Sequence, residues 1–118
     1  MKISEIVDLL DAKVLCGEDK VDGVVHSACG CDMMSDVLAF VKEQAVLLTG
    51  LCNPQVIRTA IMMDMRCVVF VRGKMPSQDI LTLAEDAGIV VLASDERMYT
   101  ACGKLYVNGL AGGEVDHE

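Results

Sequence analysis

The chain has 118 residues, of which 53% are hydrophobic and only 3% aromatic, and it carries a formal net charge of −8. This length suits one domain, and such an acidic chain lacks the basic face and stacking rings of a nucleic-acid binder. No apolar run reaches the roughly 18 residues of a membrane span, and acidic residues near the start argue against a signal peptide. We therefore expect a cytoplasmic protein with no membrane or nucleic-acid partner.

The first half of the chain predicts the order helix, strand, strand, helix. Apolar residues recur at helical spacing over 3–10 and again over 34–42. Between these segments, KVLC at 13–16 and VVHSACGC at 24–31 have the composition of short strands.

The second half contains three nearly unbroken apolar runs, at 45–49, 67–71 and 89–93, each followed by a helical pattern. Unbroken runs are typical of strands that are buried on both faces, and repeated strand–helix units imply right-handed crossovers. We therefore predict an α/β fold: a three-layer α/β/α sandwich with a mainly parallel sheet. One domain is expected over 1–110, with a flexible tail over 111–118.

Four stretches, MSDVLAFVKE, LLTGLCNPQVIRTA, CVVFVRGK and AEDAGIVVLAS, resemble the DRTGG domain family and in particular its stand-alone members. The resemblance covers nearly the whole chain. It extends more distantly to the N-terminal domains of HPr kinase/phosphorylase and of Mur ligases, the latter binding uridine nucleotides. The resemblance implies a regulatory or dimerising module, and a redox enzyme or a regulatory protein as a possible partner. The Asp-Arg-Thr-Gly-Gly string itself is absent, and the nearest place for it is the loop after Thr49.

That loop is the first candidate ligand site, because ligands of open α/β sheets favour the carboxyl ends of the strands. Free N–H groups at the start of the next helix could receive an anion. The alternative is that Asn53 caps the helix and Pro54 opens it, with no ligand involved. The candidate residues are Thr49, Gly50, Asn53, Gln55 and Arg58.

The loops after the next two strands differ in charge. In the loop that contains Gly73, Arg72 and Lys74 could add positive charge near the first loop, the alternative being a turn with Gly73 at positive φ and basic residues on the surface. Ser94 is predicted to cap the following helix, with Asp95 and Glu96 in its first turn. Because these two carboxylates would repel an anion, the third loop is excluded from the site.

The remaining reactive side chains do not form a recognisable centre. Cys29 and Cys31 are the one close cysteine pair. A structural zinc site usually needs a second pair of closely spaced ligands, which the sequence lacks, so we predict no metal and no cofactor. Together with Cys52 they remain candidates for redox-sensitive thiols. Asp32 is interpreted as an ordinary capping or solvated carboxylate. With no nucleophile–base pair and no G-x-x-x-x-G-K-[ST] string, we predict that the chain is not an enzyme.

Two functional hypotheses remain. The first is a non-catalytic regulatory module that senses a small anionic or nucleotide ligand at the loop 49–58. The second is an interaction module that dimerises and docks another protein without a small ligand. Because AIMMDM at 60–65 places apolar residues around more than one helix face, we also predict a homodimer.

Overall fold

The computed structural model describes residues 1–40 and 44–112. Helices and strands alternate along most of the chain. The helices are α1 (Ile3–Leu10), α2 (Met34–Phe40), α3 (Pro54–Met62), α4 (Gln78–Ala87) and α5 (Met98–Val107), with a short 3-10 turn at Glu18–Lys20. The strands are β1 (Lys13–Cys16), β2 (Ser27–Gly30), β3 (Ala45–Thr49), β4 (Cys67–Phe70) and β5 (Val90–Ala93).

The strands form one sheet in the order β1-β5-β4-β3-β2. The four strands from β2 to β5 run parallel to their neighbours, and β1 pairs antiparallel with β5. The mainly parallel sheet predicted from the three apolar runs is therefore confirmed. Parallel pairing follows from the intervening helices, since each crossover returns the chain to the same end of the sheet.

Helices cover both faces of the sheet, as the sequence predicts. Leu47, Val68 and Phe70 point into a core shared with α2, α3 and α4. Leu48 and Val69, their neighbours along the strands, point into a second core shared with α1 and α5. All five residues of β3 are buried, which is why its sequence shows no alternation between apolar and polar residues.

The predicted strand at 24–31 is wrong in length, since β2 covers only Ser27–Gly30. Val24 instead forms an isolated antiparallel bridge with Lys2, and the N–H of Val25 donates to the carbonyl of Met1. The start of the chain thus holds the segment that precedes β2. Of the predicted tail, Ala111 accepts a hydrogen bond from the N–H of Ala28, and positions 113–118 lie outside the described residues.

Within residues 1–40 and 44–112, no helix is both long enough and apolar enough to cross a lipid bilayer.

Candidate functional site

Asp32 lies at the centre of the polar groups at the carboxyl edge of the sheet. Its Oδ1 accepts hydrogen bonds from Thr49 Oγ1 at 3.0 Å and from the N–H of Gly50 at 2.8 Å. Its Oδ2 lies 3.7 Å from Nη2 of Arg72. One carboxylate therefore links the loops that follow β2, β3 and β4.

This role corrects the interpretation of Asp32 as an ordinary capping or solvated carboxylate. Asp32 follows β2 by two positions, so it emerges at the same edge as the loops after β3 and β4. A parallel arrangement of these strands, once predicted, was the signal that could have identified it. The sequence alone does not say that β2 is the neighbour of β3.

Thr49 and Gly50 provide the donors of this cluster from buried positions. The hydroxyl of Thr49 donates to Asp32 and also accepts from the N–H of Leu51 at 3.1 Å. Over Gly50 lies the guanidinium of Arg72: a β-carbon at position 50 would come 2.7 Å from its Cζ. Glycine at this position is therefore what lets Arg72 reach Asp32.

Arg72 adopts left-handed backbone, with φ of 60°, and Gly73 follows at φ of 70°. The positive φ of Gly73 was predicted as part of a turn. The positive φ of Arg72 was not predicted, because residues other than glycine rarely adopt this backbone conformation. Two backbone hydrogen bonds hold the turn: Arg72 N–H to Glu96 C=O at 2.8 Å, and Gly73 N–H to Ser94 C=O at 3.0 Å. The loop after β4 is thus fastened to the loop after β5, and this directs the Arg72 side chain towards β3.

The start of α3 agrees with the local capping interpretation. Asn53 Oδ1 accepts from the N–H of Gln55 at 2.9 Å, and Pro54 is the first helical residue. Gln55 and Arg58 are exposed, and Arg58 forms no ion pair with any residue in the described part of the chain. The structure therefore unites three candidates, Thr49, Gly50 and Arg72, around Asp32, while Asn53 and Gln55 are joined in the cap and Arg58 lies exposed on the helix.

The prediction that Ser94 caps α5 is wrong, because this helix begins at Met98 with Arg97 as its N-cap. Ser94 is buried, and its hydroxyl donates to the carbonyl of Leu10 at 2.8 Å. It also accepts from the N–H of Glu96 at 3.1 Å, and the Glu96 side chain pairs with Lys104. Residues 94–97 thus form the connection between β5 and α5. The helix α5 packs on the face of the sheet that carries Leu48 and Val69.

The cysteines in the described residues are free thiols. Burial raises the pKa of Cys29 to about 11, with a smaller contribution from the neighbouring Cys31. Burial also raises the pKa of Cys52 and that of the fully buried Cys67. Because the thiolate is the nucleophile, these raised pKa values disfavour the reactive form of the three thiols at neutral pH. No group of three histidine, cysteine or acidic side chains within 1–40 and 44–112 could hold a metal ion.

Among the described residues, cavities also lie away from this cluster, and three are large enough to mention. Two, of about 350 and 390 Å³, flank Lys20 and Gly88 at the amino edge of the sheet. The third, of about 580 Å³, lies over α5 between Tyr99 and Tyr106. In the carboxyl-edge cluster, the Arg72 guanidinium occupies the space over Gly50.

The comparisons with known proteins agree with this fold. The profile of the DRTGG domain family matches residues 5–106, so the chain belongs to the DRTGG domain family. A similar solved structure contains the CBS and DRTGG domains of the regulatory region of Clostridium perfringens pyrophosphatase, complexed with the activator diadenosine tetraphosphate. The TM-score is 0.71 at 19% sequence identity, and the match covers 88% of this chain and 45% of that one. At this identity the likeness is one of fold, and this chain spans less than half of that protein chain. No curated protein matches the sequence.

Proposed function

We propose that this chain is a regulatory module that senses a small anionic or nucleotide ligand at the loop 49–58, together with Arg72 and Gly73, and that catalyses no reaction itself. The observation that carries the proposal is the convergence of three unlike donors. The Thr49 hydroxyl, the Gly50 N–H and the Arg72 guanidinium all approach one point at the carboxyl edge of the sheet. A hydroxyl, a backbone N–H and a guanidinium together suit an oxyanion.

The position of the cluster supports the same conclusion. It lies beside the start of α3, where the helix dipole favours negative charge. Arg58, exposed one turn into α3, could contact a second anionic group of a longer ligand such as a nucleotide. The similar regulatory region of the Clostridium perfringens enzyme was solved with a dinucleotide activator, which makes a nucleotide the first ligand to test.

A regulatory rather than an enzymatic role fits the chemistry of the groups on hand. The cluster contains a carboxylate and a guanidinium of opposite charge, and an uncharged hydroxyl. The Thr49 hydroxyl donates to Asp32 and accepts from the N–H of Leu51, which are the contacts of a hydroxyl that holds a loop together.

Thermal unfolding in the presence of ATP, diadenosine tetraphosphate and inorganic phosphate tests the proposal. A ligand at one hundred times its Kd should stabilise the chain by about 2.7 kcal/mol, a shift of roughly ten degrees at this size. The shift should disappear in Thr49→Val and in Arg72→Asn, since asparagine tolerates left-handed backbone but carries no charge. Arg66→Asn, at the opposite edge of the sheet, is the matched control and should keep it. No shift with any ligand, or a shift that survives both loop variants, would refute this site.

The second candidate function, an interaction module, is favoured by the outer face of α5. Tyr99, Tyr106 and Val107 are 91%, 70% and 80% exposed. Tyr99, Cys102, Gly103 and Tyr106 lie at i, i+3, i+4 and i+7, the spacing of a hole that receives a side chain from a facing helix. Because Gly103 has no side chain, this hole is deep.

We infer that a second copy of the chain covers this face and forms the predicted homodimer. The net charge of −8 makes two copies repel each other, whereas α5 contains no carboxylate between 98 and 107. Pairing through α5 therefore brings together a helix without carboxylates, a property that α5 shares with α3. The methionine-rich segment predicted for self-association offers a smaller surface, since Ile61 and Met62 are 45% and 69% exposed but Met65 is buried.

Light scattering at micromolar concentration tests the dimer. Tyr106→Glu places a carboxylate on the exposed α5 face and should give a monomer, while Met62→Glu, the matched control on α3, should remain dimeric. A monomeric wild-type chain would refute the dimer, and a monomer only in Met62→Glu would move the interface to α3. Docking of a redox enzyme or a regulatory protein, and a cytoplasmic location, stay predictions.

A further inference from the structure

We propose that the Asp32 carboxylate occupies the place of the ligand's own anionic group, so that a phosphate group enters the site by displacing it. This inference rests on the proposed function, because it names the chemical group that the loop site recognises. Asp32 is then an internal competitor for the ligand.

The contacts of Asp32 are those that an external oxyanion would make. One oxygen accepts from a hydroxyl at 3.0 Å and from a backbone N–H at 2.8 Å, while the other lies 3.7 Å from a guanidinium nitrogen. Such charge-assisted hydrogen bonds are the usual means of holding carboxylates and phosphates. Without an anion, the N–H of Gly50 would be left without a partner at a buried position, which is costly. Asp32 thus keeps the site satisfied when no ligand is bound.

The position of Asp32 allows it to leave. It belongs to the short connection between β2 and α2, outside both elements, so its movement breaks no strand pairing. The side chains of Asp32 and Arg72 are 48% and 47% exposed, and an ion pair at this distance in contact with water is weak. The Thr49 and Gly50 donors, in contrast, lie at buried positions at the end of β3 and directly after it, and stay in place.

The charge of the competitor selects the ligand. A carboxylate carries one negative charge, so a monocarboxylic acid would exchange with Asp32 at little gain. A terminal phosphate carries close to two charges at neutral pH and three acceptor oxygens, so it interacts more strongly with Arg72 and with the same two donors. The site should therefore prefer inorganic phosphate and nucleotides to acetate.

Isothermal titration calorimetry tests whether the site has this preference. The affinities for inorganic phosphate, ATP and acetate are measured at constant ionic strength, set with sodium chloride. Asp32→Asn keeps an acceptor oxygen for Thr49 and Gly50 but removes the competing charge. We expect it to bind phosphate and ATP at least tenfold more tightly than the wild type. Asp64→Asn makes the same change in net charge at the amino edge, where φ of 54° suits asparagine, and should change affinity less than twofold.

Hydrogen exchange provides a second readout that does not depend on affinity. When saturating ATP displaces Asp32 in the wild type, amides of the connection at 31–33 should exchange severalfold faster. The Gly50 amide should remain protected, because the phosphate replaces Asp32 as its acceptor.

The outcomes separate this inference from the proposed function. If the wild type binds ATP through Thr49 and Arg72 but Asp32→Asn binds no more tightly, Asp32 is not a competitor and only this inference is overturned. If the gain in Asp32→Asn persists when Arg72→Asn is added, it reflects bulk charge and the inference is also overturned. If neither the wild type nor Asp32→Asn binds phosphate or ATP, the proposed function falls and this inference falls with it.

Discussion

The guanidinium of Arg72 lies directly over Gly50, so that a β-carbon at position 50 would come 2.8 Å from Nε and 2.7 Å from Cζ. The absence of a side chain on one loop is therefore a condition for the ion pair between the two neighbouring loops. A substitution at Gly50 can therefore disturb the proposed ligand site without a large effect on the stability of the fold.

Replacing Gly50 with alanine should weaken ligand binding far more than it weakens the fold. The new methyl group must displace the Arg72 guanidinium, which is the mobile end of a half-exposed side chain. We expect a loss of about 1 kcal/mol or less in the free energy of unfolding, because a half-exposed ion pair contributes little. Affinity for ATP should fall at least tenfold. Urea unfolding and calorimetric titration measure the two effects, and an unchanged affinity would contradict the prediction.

Gly103→Ala should stabilise the monomer. A β-carbon at position 103 would meet no atom within 4 Å, and glycine inside a helix costs roughly 0.5–1 kcal/mol relative to alanine. Urea unfolding at a concentration where the chain is monomeric should show this gain. At higher concentration the same variant should dimerise less, since the methyl group fills the hole on α5. A destabilised monomer would show that Gly103 serves the fold rather than the surface.

Thr59→Val should also stabilise the chain. Thr59 is fully buried in α3, and its Oγ1 has no hydrogen-bond partner among the described residues. Replacing an unpaired buried hydroxyl with a methyl group should add about 1 kcal/mol and raise Tm by roughly 4 °C.

Thr82→Val is the control for this substitution. The hydroxyl of Thr82 is exposed on α4 and accepts from Gln78 Nε2 at 3.3 Å, so stability should change by less than about 0.5 kcal/mol. Calorimetry measures the Tm of both variants. A lower Tm for Thr59→Val would indicate that the Thr59 hydroxyl forms a hydrogen bond in the folded chain.

Stability should decline in alkali partly because of Cys29. Burial raises the pKa of this thiol from 9.0 in the unfolded chain to about 11 in the fold. The folded state therefore disfavours the thiolate, and its contribution to stability is complete below the lower pKa and lost as pH rises through the higher one.

Cys29→Ala isolates this effect. The free energy of unfolding of the variant should fall less steeply between about pH 9 and pH 11 than that of the wild type. The comparison needs only urea unfolding at several pH values. Parallel curves for the two proteins would show that Cys29 does not titrate differently in the folded chain.

Some elements were predictable because their causes are local. The strand at Ala45–Thr49 has the bounds that its nearly unbroken apolar run predicts, since a strand buried on both faces is apolar at most positions. The Asn53 cap and the Pro54 start of α3 depend on residues within two positions of each other. The left-handed C-cap at Gly88 likewise follows from the preference of glycine for that backbone.

Other features could not be predicted, because their causes lie far along the chain. The sequence around Ser94 is typical of a helix cap, but the Ser94 hydroxyl donates to the carbonyl of Leu10, which lies 84 positions away in the sequence. Asp32 looks like a solvated carboxylate until β2 is placed beside β3, which brings it to Thr49, 17 positions on. The left-handed backbone of Arg72 depends on the loop after β5, which holds its N–H.

The sequence by itself therefore determined the α/β architecture, the strand segments of the second half and the region in which polar loops gather. These follow from hydrophobic periodicity and local backbone preference, which act over a few residues. Only the tertiary structure decided that Asp32, Thr49, Gly50 and Arg72 form one cluster. The order of the strands in the sheet brings their loops together, and local sequence patterns do not determine which strands are neighbours.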